Sequence, residues 1–222
     1  MSGSTTLEAG SLASNQLQLM GLLAVLSLVP FAIMILTSFS KIVVVLSIVR
    51  SAIGTQQAPP TMVLTGLAAV LSATIMSPTV EKIWANLSHA TTGAWANVAT
   101  IEAAAEPLRA FLTKHGSAEE RARFVELARE LRPPEESHAV NESSLSVVVP
   151  AFVLTELKEA FIIGFLVFLP FLVLDMLVAN VLLALGMQTL SPSQVALPFK
   201  ILLFVAVDGW SLLARGLILA YR

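Results

Sequence analysis

The chain has 222 residues, 56% of them hydrophobic and only 13% charged, with a formal net charge of −2 and a mean hydropathy of +0.82. That is too apolar for an ordinary soluble domain and too weakly charged for nucleic acid, so a membrane protein is expected. The absence of cysteine excludes disulfides, thiolate metal sites and a cysteine nucleophile.

The first apolar segment, 17–37, has no Lys or Arg before it and no A-x-A site after it. A run of about twenty apolar residues reads as a membrane span rather than a signal peptide. The stretch "FSKIVVVLSIVRSAIGTQQAPP", 39–60, is too short between Lys41 and Arg50 to span, and is expected to extend the first helix or form a bend. A second span is expected at 61–80, where Gly66, Ala69 and Ala73 share one helical face and allow close helix packing.

Residues 81–146 differ in kind, with ten acidic and seven basic residues against five and six in all the rest. Here Pro107 suits a helix start and Gly116 a helix end. Ser117 and Glu120 form a capping box before a stripe at Phe124, Leu127, Ala128 and Leu131, closed by Pro133 and Pro134. A small water-exposed helical insertion is expected. His89, His115 and His138 lack ligand spacing and read as solvated loop histidines, so no metal or cofactor is called for.

The apolar run 147–187 would be about 60 Å long as one helix, against a hydrocarbon core of about 30 Å. Pro150, the cluster Glu156-Leu157-Lys158-Glu159 and Pro170 are expected break points of a long kinked arm. Gly164 within it is a further candidate for close packing, and Pro30, Pro78, Pro170 and Pro198 are read as helix kinks.

A last span is expected at 201–220. Its Leu, Ile, Val and Phe residues favour lipid by about 5 kcal/mol, while Asp208 and Arg215 near mid-span oppose it by roughly the same amount. The segment should therefore be buried against protein. Asp208 and Arg215, seven residues apart on one helical face, need partners from elsewhere. Lys41 and Arg50 in one short connection and Lys200 in another place both at the cytoplasmic side, and 81–146 opposite.

Three function classes are compatible with these residues. A secondary transporter or proton channel would use Glu156, Glu159, Asp175 and Asp208 as relay groups, but the two matching halves that many such folds show are missing. An enzyme, such as an intramembrane protease, has no HExxH, GxSxG or Walker A motif to support it, and no catalytic residue is assigned. A structural pore subunit would use its charges to lock helices and copies together.

Three blocks carry a family resemblance: "FSKIVVVLSIVRSAIGTQQAPPTMVLTGLAAVLS", "ELKEAFIIGFLVFLPFLVLDMLVANVLLALGM" and "SPSQVALPFKILLFVAVDGW". In order and over about half the chain, they resemble the type III secretion export-apparatus proteins called SctR in injectisomes and FliP in flagella. The resemblance implies a non-enzymatic subunit of the bacterial inner-membrane export gate, without cofactors. It also implies a homo-oligomer, a pentamer in the family, joined to SctS-type and SctT-type subunits in a pore that passes secreted proteins. Lys41, Glu156, Lys158, Glu159, Asp175, Lys200, Asp208 and Arg215 would then be ties between helices or copies, and Met187, Gln188 and Thr189 the pore's gasket. The short polar start favours the injectisome branch.

The expected fold is thus an all-α membrane protein with about four long, kinked hydrophobic helices arranged as hairpins. It divides into N-terminal helices at 1–80, a polar periplasmic helical insertion at 81–146, and a C-terminal helical hairpin at 147–222.

Overall fold

The structure is a computed structural model and describes residues 19–21, 23–24, 26–55, 57–88, 98–133, 140–187 and 189–222. It is all-α, with no strand among the described residues. The contacts divide the chain into two compact units, Met1–Ile35 and Leu36–Arg222.

The first unit contributes most of α1, Leu19–Leu36, an apolar helix long enough to cross a bilayer and with its described side chains largely exposed. Pro30 lies within it.

The second unit is built around α2, Phe39–Ile53, a helix in its own right and not an extension of α1. Ile42, Val45, Leu46, Val49, Ala52 and Ile53 recur at helical spacing and are buried, giving α2 a broad apolar face. Each fully buried aliphatic side chain contributes about 1.5–3 kcal/mol, so α2 is the organising element of this unit. It ends at Gly54, whose φ of +86° is left-handed and lets its N–H reach the carbonyls of Arg50 and Ser51.

A short connection leads to α3, Thr61–Ser88. Ser38 pairs with Ser72, and Arg50 with Thr61, so α2 and α3 form an antiparallel hairpin. The helix passes through both Pro78 and the boundary expected at 80/81, because Glu81 and Lys82 are exposed charges on a helix face and do not terminate it.

The polar segment holds α4, Val98–His115, and α5, Ala118–Glu130. Pro107 lies inside α4 rather than at its start. The Ser117 hydroxyl accepts from Glu119 N–H, while Glu120 pairs with Arg123, so the reciprocal half of the expected capping box is not made. The stripe is also rotated. Val125 is buried with Val140 and Val147, Phe124 and Ala128 pack beside them, and Leu127 and Leu131 face outward. Asn86 reaches the Ala103 carbonyl and Ser117 N–H reaches Thr155, tying the segment to α3 and to the next helix.

That helix, α6, runs Leu145–Ala184 without a break, about 60 Å by helix rise. Pro150 and Pro170 lie inside it and do not end it; apolar helices tolerate proline when neighbours re-satisfy the freed backbone groups. The charged cluster at 156–159 does not break it either, since Glu156 turns inward to a partner. Lys41 meets Glu156 and Ile48 meets Gly164, so α2 and α6 run parallel.

The last expected span is instead two helices, α7, Pro192–Ala206, and α8, Gly209–Leu219, bent by 59° at Val207-Asp208. Asp208 sits in the left-handed region at φ 49°, which ends α7. Gly209 follows because a Cβ there would collide with the Phe204 ring. Among the described residues, three helices, or four if the bent pair is one span, are long and apolar enough to cross a membrane.

Candidate functional site

Two ion clusters pin α2 to α6 and α7. In the first, Lys41 is 1% exposed, with its ammonium 3.0 Å from Glu156 Oε1 and 2.7 Å from Glu159 Oε2. Glu156 is wholly buried and also accepts a hydrogen bond from the Tyr221 hydroxyl, and Lys41 lies 4.2 Å from the centre of the Tyr221 ring. A buried charge needs this much company, since it loses hydration worth several kcal/mol. In the second, Lys200, 4% exposed, donates to Asp175 Oδ2 at 2.6 Å and to the Ala52 carbonyl at 3.1 Å.

The two lysines hold Glu156, Glu159 and Asp175 in direct pairs. That arrangement fixes helix register and leaves these groups poorly placed as mobile proton carriers. Between the clusters the packing is tight at Gly164, where an added Cβ would overlap the Ile48 side chain.

The remaining charges behave differently. Lys158, Asp208 and Arg215 are exposed, and none makes an ion pair or side-chain hydrogen bond with the described residues. Their neighbours are apolar and also exposed, including Phe161, Val205, Val207 and Leu212. Asp208 is not on one helical face with Arg215, because it caps the bend rather than lying inside a straight helix. Beside the bend, an apolar groove of about 340 Å³ runs between α6 and α7–α8, lined by residues such as Pro170, Phe171 and Leu213.

The connection from α6 to α7 turns at Gly186, φ +73°, with Met187 N–H reaching back to the Leu182 carbonyl. Met187 and Thr189 are exposed, while Gln188 lies outside the described residues. Pro198 lies within α7, beside Phe199 and Lys200. Gly66, Ala69 and Ala73 face away from the core of the chain; the buried face of α3 is Leu64, Ala68, Leu71, Ser72 and Met76. The close packing expected of Gly66, Ala69 and Ala73 is not made within the described residues of the chain.

Sequence reasoning missed Tyr221 and misread His115. Tyr221 is buried beyond the end of α8, and its only sequence signal is a lone tyrosine after the last apolar run. His115 closes α4 inside an aromatic cluster with Phe111 and Tyr221, not in a solvated loop. Burial, then the nearby ammonium groups of Lys114 and Lys41, hold its pKa below the ordinary 6.5, opposed by Glu159. His89 and His138 lie outside the described residues.

The FliP family pattern matches residues 22–217. The chain is 45% identical over 202 residues to the hypersensitivity response secretion protein HrcR of Ralstonia nicotianae, covering 89% of this chain and 93% of the relative. It is 40% identical over 215 residues to Yop proteins translocation protein R of Yersinia pestis, covering 93% of this chain and 97% of the relative. It is also 42% identical over 212 residues to the flagellar biosynthetic protein FliP of Caulobacter vibrioides, covering 95% and 78% respectively.

Proposed function

The chain belongs to the FliP family of type III secretion export-apparatus proteins, and from that premise we propose that it is a structural pore-forming subunit of the export gate in the bacterial inner membrane. It is a secretion component rather than an enzyme. In this reading several copies, five by family resemblance, join SctS-type and SctT-type subunits to pass unfolded substrate proteins. The polar segment stands on the periplasmic side.

The observation that carries the reading is the set of unpaired, outward charges. Lys158, Asp208 and Arg215 lie on exposed apolar surface, where an isolated charge facing lipid is unfavourable by about 2.5–3.5 kcal/mol near mid-bilayer. Neighbouring subunits remove that penalty by supplying partners. Exposed apolar surface of this extent also exceeds what a membrane span alone requires: α6 is about twice the thickness of a hydrocarbon core.

The pore constriction is assigned to Met187, Gln188 and Thr189. They follow a glycine turn between two apolar arms, and one methionine per copy becomes an apolar ring that blocks ions by dewetting. The test is ion conductance of liposomes carrying the assembled complex. Deleting 187–189 should raise the leak while the complex survives; a background leak from an intact complex removes the loop from the seal. For the topology, the chain's lack of native cysteine allows a single Glu126→Cys probe. Labelling by an impermeant thiol reagent only after the inner membrane is broken would place the polar segment on the other side.

A further inference from the structure

Tyr221 joins two regions that the sequence keeps apart. On one side it meets the end of α4, with ring centroids 6.0 Å from Phe111 and 5.0 Å from His115, which in turn lie 4.7 Å from each other. On the other side its hydroxyl donates to Glu156 and its ring faces Lys41. The polar segment and the C-terminal end of α8 are thus fastened to the buried ion cluster through one side chain.

We propose that this stack is a pH-sensitive latch triggered by His115: a neutral imidazole holds α4 and the end of α8 on the Lys41–Glu156 pair, and a protonated one releases them. The charges around His115 give the direction. Lys114 adjoins it on α4, Lys41 faces it from α2, and Lys82 of α3 and Glu106 of α4 line the same cleft. From α6 come Glu156 and Glu159, from the chain end Tyr221 and Arg222, whose backbone oxygen accepts from Lys114. On α5, Arg121 is committed to the carbonyls of Thr113 and Gly116.

The balance is unfavourable to a second cation. Glu156 is already engaged by Lys41 and Tyr221, and Glu159 by Lys41, with Glu159 half-exposed and therefore screened. Attraction of an imidazolium to the Tyr221 ring does not offset this, because Lys41 already faces that ring. The closed state resists a proton that the open state accepts at the ordinary histidine pKa. Acid therefore shifts the population toward open, by about tenfold for each unit of depression. Lying within one chain, the latch does not depend on the pore reading.

Hydrogen–deuterium exchange on the full chain in nanodiscs tests it, with rates corrected for the intrinsic effect of pH. Amides of 108–115 and 217–222 should exchange several-fold faster at about pH 5 than at about pH 7.5. His115→Gln and His115→Phe should each flatten that response; if one fails to accumulate, the other serves. His115→Lys should exchange fast at both pH values, and Glu159→Gln should keep the acid response. The proposal is overturned if the His115→Gln or His115→Phe chain responds to acid as the parent does, if Glu159→Gln abolishes the response, or if the parent shows none.

Discussion

The same apolar helices carry two kinds of charge. Lys41, Glu156, Glu159, Asp175 and Lys200 turn toward one another within the chain, and the lysines are nearly inaccessible. Lys158, Asp208 and Arg215 turn outward and meet no intrachain partner among the described residues. Lys158 and Glu159 are adjacent in sequence and fall into opposite groups, because one helical step of about 100° separates a side chain facing α2 from one facing away. Charge in an apolar helix therefore has two uses here. Inward charges set the register of α2, α6 and α7, and outward charges, in the proposed assembly, meet a neighbour.

The comparison breaks most visibly at the first cluster. Lys41→Ala leaves the wholly buried Glu156 uncompensated and should destabilise the chain by about 3–5 kcal/mol, seen as lost abundance and a collapsed thermal transition in detergent, while Glu156→Ala should cost less because Lys41 keeps Glu159. If either variant melts like the parent, the inward group is not structural. Lys200→Ala should cost less, about 1–3 kcal/mol, because Asp175 is partly exposed and can take up water. Gly164→Leu belongs in the same range, about 1–3 kcal/mol of overpacking, and Ile48→Ala should recover part of it by opening the space that the new side chain needs.

Acid gives a graded version. His115 has its pKa held below 6.5 by burial and nearby lysines, so above that pH it is neutral in both folded and unfolded chains and contributes nothing. As pH falls through 6.5 the unfolded chain takes up the proton and the folded chain resists, so stability declines until the folded pKa is passed. The melting midpoint should therefore drop between neutral and mildly acidic pH in the parent and drop less in His115→Gln.

The outward group should show the smallest effects on the fold. Lys158→Ala and Arg215→Ala should change the stability of the chain purified alone by less than about 0.5 kcal/mol. Asp208→Gly should stabilise it by about 1 kcal/mol, since glycine takes the left-handed backbone without strain. The same substitution should weaken assembly, and that opposition of signs sharpens the distinction between the two groups.

Much of this was legible in the sequence. Hydropathy and length located the apolar helices, but the segment 201–220, expected to be buried against protein, is bent and leaves Asp208 and Arg215 exposed within the chain. Which way each charge turns was not legible. Glu156 and Glu159 find Lys41 across more than a hundred residues of chain, and the carbonyl of Ala52 that receives Lys200 has no side-chain signal at all. The bend at Asp208 was missed because aspartate inside an apolar run reads as a charge problem, whereas its backbone conformation also ends a helix. Pro150 and Pro170 produced the opposite error, since proline marks where a helix loses one hydrogen bond and not whether its neighbours hold it together.

The central claim is that the outward charges face other subunits. It is tested most directly by placing a photo-crosslinking side chain at position 215 or 158 in otherwise native membranes and identifying the adducts by mass spectrometry. The account predicts adducts to a second copy of this chain or to another export-apparatus subunit, and their loss when Asp208→Ala prevents assembly. Adducts to lipid alone, from a complex that remains intact, would contradict it.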